Sequence, residues 1–171
     1  ISARDGLARF ECIEPMYNIV KRQAEVEILP LAESEQIGVI AYSPLGAGLL
    51  SGKYLGETAD AAGRIIKNDM YAKRYSDPQY RDTAARFVNY AKEIGAHPVT
   101  LAVSWVKTHP AITAPIIGAR NVSQLEPALA SASFNMTPQI REAICQLSLR
   151  PASATDRLEE VLDPSYKFSN R

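Results

Sequence analysis

The order of strand-like and helical segments constrains the fold of this chain more than any other feature. Short apolar segments at residues 8–14, 39–42 and 111–119 predict three buried strands. Helical segments lie between them and after them, and a long loop follows the second strand. This alternation is typical of an α/β domain in which the strands are parallel.

Three strands are few for a complete fold of this class. Parallel sheets normally contain about five strands or more, and a closed barrel of strands and helices takes about 250 residues. The chain has 171 residues, which is enough for one domain with a core. Because three strands cannot cover their own edges and faces, we expect the chain to be part of a larger fold. A helix that stops at Asp5–Gly6, directly after the start at Ile1, fits this expectation.

Charge and composition argue against several classes of protein. Nineteen basic and nineteen acidic residues cancel, so the sequence favours neither a nucleic-acid partner nor an anionic membrane surface. No apolar run approaches the roughly 20 residues that a membrane span needs. Cys12 and Cys145 are the only cysteines, and we expect both to be buried thiols. These features predict a soluble, cytoplasmic protein without a membrane partner.

The helical segments are predicted from apolar spacing and from their start and stop residues. They are expected over residues 25–38, 82–95, 98–110, 121–132 and 137–147. Gly38 is expected to end the first helix. Asn121 and Gln124 form a capping box at the start of the fourth. The side chains of that helix expected to face the core are Val122, Leu125, Leu129 and Ala132.

Two segments have the chemistry of an anion site. Gly118 allows a close approach of the backbone, Arg120 adds a planar charge, and the N–H groups of the next helix attract phosphate. An ordinary capped turn explains the same residues. Residues 46–78 form a long loop without a sustained period, and such loops are usually functional or mobile. Lys53 and Arg64 lie in it, either closing over an anion or exposed as surface charges.

Polar and aromatic residues also follow the first two strands. Glu14, near Tyr17 and Asn18, either bonds a ligand amide or lies in solvent. Tyr42 offers a flat ring for stacking and Ser43 a hydroxyl for a phosphate, although a tyrosine that packs at a strand end explains Tyr42 better from the residues alone. Ligands of parallel α/β folds bind at this carboxyl end of the strands.

The sequence predicts neither a catalytic set nor a metal site. His97 and His109 flank one helix, each beside a proline, and no Ser, Cys or carboxylate stands at a useful spacing from either. Their separation also matches no usual pair of metal ligands. We expect both to be cap or surface residues.

Two long segments resemble the aldo/keto reductase family. Residues 12–54, which include AYSPLGAGLLSGKY, resemble its stretch from the sixth barrel strand through the seventh. Residues 98–129, which include PIIGARNVSQLEPAL, resemble its eighth-strand region. The resemblance covers about residues 6–149 and is nearest to bacterial reductases and potassium-channel β-subunits. It implies a partial (β/α)8 TIM barrel, approximately strands 6–8 with their helices and the C-terminal helix. Residues 1–171 would form one partial domain, with a polar tail at 151–171.

The resemblance implies a binding site for NADP(H). Its residues are Glu14, Tyr42, Ser43, Pro44, Leu45, Gly46, Lys53, Arg64, Gly118, Arg120 and Gln124. Tyr42 would stack under the nicotinamide ring, and residues 43–46 would line the pyrophosphate. Glu14 stands where the family commonly has a glutamine that bonds the nicotinamide carboxamide, and a carboxylate accepts from that amide but cannot donate to it.

The remaining residues of the set would hold the other parts of the cofactor. Lys53 and Arg64 would cover it from the long loop. Gly118, Arg120 and Gln124 would hold the adenosine end and its 2′-phosphate, and the preference for NADPH over NADH would depend on Arg120.

The family's catalytic Tyr, Lys, Asp and His come from earlier strands, to which this chain has no counterpart. The resemblance therefore implies the cofactor-binding, C-terminal portion of an NADPH-dependent oxidoreductase that reduces aldehydes and ketones to alcohols. The partners would be a small carbonyl substrate and the N-terminal half of the barrel, or a complementing chain. Two alternatives are a non-catalytic NADP(H)-binding module, such as a regulator similar to channel β-subunits, and a half-barrel that needs a partner chain.

Overall fold

The sheet is parallel and three-stranded in the computed structural model, which describes residues 1–56 and 63–152. Strand β1 (Cys12–Ile13) pairs with β2 (Gly38–Ala41), and β2 pairs with β3 (Ala114–Pro115), so the order is β1-β2-β3. A parallel bridge between Met16 and Tyr42 continues the first pair. The parallel α/β arrangement is thus confirmed, although the first and third strands are shorter than predicted.

Helices make up most of the regular structure of the described residues. The α-helices are α1 (Ser2–Asp5), α2 (Ile28–Ser34), α3 (Arg64–Lys67), α4 (Asp69–Arg74), α5 (Pro78–Glu93), α6 (Pro98–Lys107), α7 (Val122–Leu129) and α8 (Pro138–Cys145). Short 3₁₀ segments lie at Gln23–Glu25, Gly46–Ser51 and Ala130–Ala132. Gly6 adopts a left-handed conformation directly after α1, which confirms the predicted helix stop.

The two faces of the sheet differ in burial. Side chains alternate between the faces along a strand, and Val39 and Ala41 are fully buried on the helix-covered face. Ile13 pairs with Val39 and therefore shares the covered face. Ile40 pairs with Ala114, and both lie on the opposite side of the sheet. We call that side the open face; it carries Cys12, Glu14, Met16, Ile40, Tyr42, Ala114 and Ile116.

The open face corrects two predictions. Cys12 is exposed and not a buried thiol, and Cys145 is half-buried. The strands are buried on one side only, since Ile116 on the open face is 42% exposed. Continuous apolar runs predicted burial on both sides, but helices cover only one side of this sheet.

The core lies between the covered face and helices α5 and α6. Phe87 and Ala91 of α5 and Trp105 of α6 are fully buried there. Helix α5 confirms its predicted apolar stripe but begins at Pro78, where Asp77 caps it by accepting from the Gln79 N–H. Helix α6 is buried on all sides from Val99 to Val106, because it contacts both α5 and α7.

Two helix predictions are wrong in part. Helix α2 ends at Ser34, and Gly38 is the first residue of β2 instead of the stop residue. Helix α7 starts at its predicted cap, but Val122 is 67% exposed and Leu129 is 55% exposed. Helix α7 instead packs against α6 through Ala128, which is buried with Val99 and Val103 of that helix.

The predicted long loop contains regular structure. The 3₁₀ segment at Gly46–Ser51, α3 and α4 all lie in it, and its residues 57–62 are outside the described residues. The Tyr54 hydroxyl donates to the Ala47 carbonyl (3.3 Å) and accepts from the Ile65 N–H (3.1 Å). A Cβ on Gly63 would overlap the Tyr54 ring, so only glycine fits there. Tyr54 therefore joins the 3₁₀ segment to α3 within this loop.

The described residues contain no helix long and apolar enough to cross a membrane. Residues 153–171, most of the predicted polar tail, lie outside the described part of the chain.

Candidate functional site

Tyr42 lies at the carboxyl end of β2, on the open face of the sheet. The residue is 36% exposed. Its backbone is hydrogen-bonded to the segment after β1, because the Tyr42 N–H donates to the Pro15 carbonyl (3.0 Å) and the Tyr17 N–H donates to the Tyr42 carbonyl (3.3 Å). Glu14, also exposed, lies on the neighbouring strand and on the same face. A fixed aromatic surface is therefore available to a planar ligand.

The turn after Tyr42 has an unusual backbone that a buried side chain holds in place. Ser43 has φ +60°, a left-handed conformation that costs a non-glycine residue about 1–2 kcal/mol. Asn18 is fully buried; its Nδ2 donates to the Ser43 carbonyl (2.9 Å), and its Oδ1 accepts from the Val20 N–H (3.1 Å). Asn18 thus holds the peptide that follows Ser43 in place through the Ser43 carbonyl.

The rest of the turn is compact. Gly46 is buried with φ +55°, and its N–H donates back to the Ser43 carbonyl (3.0 Å). Pro44 is buried and Leu45 is half-buried. The Gly46 N–H is already engaged within the turn. A ligand would therefore contact other groups of residues 43–46.

Lys53 lies across the 3₁₀ segment that follows the turn. A Cβ on Gly48 would be 2.6 Å from Lys53 Cε, so the lysine chain passes directly over the bare backbone of Gly48. The Lys53 ammonium is 4.9 Å from the centroid of the Tyr54 ring. Arg64 is exposed, with its guanidinium 5.3 Å from the centroid of Tyr71. Tyr54 links the segments that carry these two basic residues.

The third part of the site lies between β3 and α7. Gly118 is exposed, and nothing lies within 4 Å of where a Cβ would stand. Asn121 caps α7 by accepting from the Gln124 N–H (3.0 Å), which confirms the predicted N-cap. The Gln124 side chain accepts from the Arg120 N–H (3.1 Å), one residue earlier than a standard capping box. The Arg120 guanidinium is exposed beside this helix start.

Tyr17 does not belong to the site, although it stands close to Glu14 in sequence. It is fully buried, stacks on Trp105 with 5.0 Å between centroids, and donates from its hydroxyl to Glu25 (2.6 Å). Burial and the neighbouring carboxylate raise its pKa far above the ordinary range. Tyr17 is therefore a structural residue and holds its proton.

The histidines are also structural. His97 caps α6 by accepting from the Val99 N–H (3.2 Å), which confirms the predicted cap role. His109 is half-buried, with 5.5 Å between the centroids of its ring and the Tyr17 ring. Burial, together with the charge of Arg141, lowers the pKa of His109. No group of three His, Cys, Asp or Glu residues among those described is arranged to hold a metal ion.

Comparison with known proteins identifies the family. A sequence model of the aldo/keto reductase family matches residues 2–148. The chain belongs to the aldo/keto reductase family. Helices lie outside the barrel in TIM-barrel proteins, so the open face of this aldo/keto reductase chain is the face that belongs to the barrel interior.

Relatives of this aldo/keto reductase chain include oxidoreductases and channel subunits. "Uncharacterized oxidoreductase YrpG" of Bacillus subtilis is 33% identical over 144 residues, covering 81% of this chain and 40% of the relative. "Protein tas" of Escherichia coli is 28% identical, covering 89% and 44%. A "putative voltage-gated potassium channel subunit beta" of Schizosaccharomyces pombe is 27% identical, covering 78% and 41%. The chain spans less than half the length of these relatives.

Sequence reasoning named Asn18 without a role and missed Tyr54. An asparagine inside the run MYNIV was the available signal, because a buried amide needs partners for both of its ends. Nothing in the sequence marked Tyr54, since its role depends on two segments that meet only in the folded aldo/keto reductase chain.

Proposed function

We propose that this chain is the cofactor-binding portion of an NADPH-dependent oxidoreductase that reduces aldehydes and ketones to alcohols. The proposal treats residues 1–171 as one partial domain of a TIM barrel, located in the cytoplasm. The observation that carries it is the half-exposed Tyr42 ring at the carboxyl end of β2, where ligands of parallel α/β folds bind.

The proposed binding mode extends from Tyr42 to the start of α7. The nicotinamide ring would lie on Tyr42, with Glu14 accepting a hydrogen bond from the carboxamide. Residues 43–46 would follow the pyrophosphate, held in shape by Asn18. Bound NADPH would supply a hydride to the carbonyl carbon of the substrate.

Basic residues would hold the phosphates. Lys53 and Arg64 would cover the middle of the cofactor from the loop. Gly118 and Arg120 would bind the 2′-phosphate, with Gln124 beside them. The space around Gly118 and the exposed Arg120 guanidinium suit an anionic group at this helix start.

Binding titrations on the full product of the reading frame that contains these residues test this proposal. NADPH fluorescence should report a loss of affinity of about tenfold or more for Arg120→Ala, since a charged hydrogen bond is removed. NADH affinity should change little, because NADH lacks the 2′-phosphate. Arg81→Ala, which removes an exposed arginine from α5, is the matched control. Equal losses for both cofactors would contradict the assigned role of Arg120.

A second candidate is a non-catalytic NADP(H)-binding module, such as a regulator similar to channel β-subunits. The similarity to a protein named as a potassium channel subunit beta favours it. A half-barrel that works only with a complementing chain is a variant of this candidate. Steady consumption of NADPH with a small aldehyde would support the reductase, whereas binding without turnover would favour the module.

A further inference from the structure

We infer that Glu14 makes this site selective for the oxidised cofactor, so that NADP⁺ binds more tightly relative to NADPH than it would beside a neutral side chain. The inference rests on the proposed function, because it assumes that the nicotinamide ring lies on Tyr42. It concerns the affinity of the site for oxidised compared with reduced cofactor.

The strand register places Glu14 diagonally beside Tyr42. Ile13 pairs with Val39 and Met16 bridges to Tyr42, so Glu14 lies opposite Ile40, two residues before Tyr42. Strand spacing and rise put the Cα atoms of such a diagonal pair about 8 Å apart. Both side chains leave the same face of the sheet, so a carboxylate stands next to any ring that covers Tyr42.

No described residue of the open face balances the charge of Glu14. The other residues of that face are uncharged: Cys12, Met16, Ile40, Tyr42, Ala114 and Ile116. Within the described residues Glu14 makes no hydrogen bond or ion pair, and it is exposed. No described residue therefore competes with a ligand for this carboxylate.

A carboxylate beside a tyrosine ring suits a flat cation. The ring face attracts positive charge, and the carboxylate adds a Coulomb term of the same sign. The oxidised nicotinamide ring is a cation, whereas the reduced ring is neutral. The phosphates of the two forms are identical, so their repulsion from Glu14 cancels in the ratio of the two dissociation constants.

The size of the effect follows from distance and screening. A unit charge about 7 Å from the carboxylate, in a site that is still partly open to water, corresponds to about a fivefold change in an equilibrium constant.

The test is the ratio of the dissociation constants of NADP⁺ and NADPH, measured by calorimetry and by fluorescence on the full product of the reading frame. Glu14→Gln should raise this ratio about fivefold, because NADP⁺ loses its charge partner. Glu11→Gln is the matched control: it removes another exposed carboxylate, three residues earlier in the chain and on the opposite face. Circular dichroism checks that both variants are folded, as expected for exposed positions.

The outcomes separate this inference from the proposed function. A ratio that rises for Glu14→Gln and stays constant for Glu11→Gln supports the inference. A ratio that changes by less than about twofold for Glu14→Gln, or equally for both variants, overturns it while leaving the proposed function intact. If neither cofactor form binds, or if Tyr42→Ala does not weaken binding, the proposed function fails and the inference fails with it.

Discussion

Replacing Asn18 with aspartate tests how the turn after β2 is held. The Asn18 Nδ2 group donates to the Ser43 carbonyl at 2.9 Å, and a carboxylate cannot donate. Losing this hydrogen bond costs about 1 kcal/mol. The Ser43 carbonyl keeps the Gly46 N–H as a donor (3.0 Å), but the carboxylate oxygen that replaces Nδ2 is buried against this carbonyl without a donor, which costs about 1–3 kcal/mol more. The Val20 N–H keeps its acceptor. We therefore expect Asn18→Asp to lower the free energy of unfolding by about 2–4 kcal/mol at pH 7.

The deficit should depend on pH in a defined direction. Burial raises the pKa of the introduced carboxyl above its ordinary value of about 3.9, and the protonated carboxyl can donate to the Ser43 carbonyl again. The folded state then binds more protons than the unfolded state. The free energy of unfolding of the variant relative to wild type is therefore highest below about pH 4. It falls by up to about 1.4 kcal/mol per pH unit as the pH rises.

Urea titrations at several pH values between about 4 and 7 measure this difference on the full product of the reading frame. Asn68→Asp is the matched control. Asn68 caps α4 only as an acceptor, from the Met70 N–H (3.0 Å) and the Tyr71 N–H (3.4 Å), and aspartate serves equally well there. The reasoning is refuted if Asn18→Asp costs less than about 1 kcal/mol at pH 7, or if its deficit does not change with pH.

Three further predictions concern the core, a helix cap and acid stability. Phe87→Ala, at a fully buried position of α5, should lower the free energy of unfolding by about 3–5 kcal/mol in urea, and a loss below about 2 kcal/mol would contradict the described packing. Asn121→Ala should cost about 1 kcal/mol in the same assay, because the Gln124 N–H loses its side-chain acceptor and keeps only the longer bond to the backbone carbonyl of residue 121 (3.3 Å); no loss would contradict the capping role. Burial raises the pKa of Glu25, but the hydrogen bonds from Arg22 and its charge outweigh burial and leave it below the ordinary value. The stability that the Arg22–Glu25 pair contributes is present above the unfolded pKa of about 4.3 and is lost as the pH falls through the lower folded pKa. Glu25→Gln should therefore flatten the acid limb of a pH–stability profile. An unchanged acid limb would refute the pairing.

Local signals in the sequence were sufficient for most helices. The spacing of Ala84, Phe87, Val88 and Ala91 predicted the buried stripe of α5, and all four are buried. The side of α7 that meets its neighbour could not be predicted in the same way. Its larger apolar residues Val122 and Leu129 are exposed, because contact with α6 runs through the small Ala128. Helical spacing shows that a stripe exists but not which helix it meets.

The candidate site was predictable as a set of strand ends and not as a geometry. Tyr42 and Glu14 follow their strands as expected, since parallel strands end at one edge of the sheet. The side chains that shape the site come from elsewhere in the chain. Asn18 holds Ser43 across 25 residues, and Tyr54 joins Ala47 to Ile65 of α3. Such contacts depend on tertiary packing, which neither periodicity nor a local motif encodes.

A crystal structure of the full product of the reading frame with NADPH tests the central claim most directly. The account predicts the nicotinamide ring stacked on Tyr42 beside Glu14, the pyrophosphate along residues 43–46, and the 2′-phosphate at Arg120. An ordered cofactor bound elsewhere would contradict it, as would an empty site in a crystal grown at a saturating concentration of NADPH.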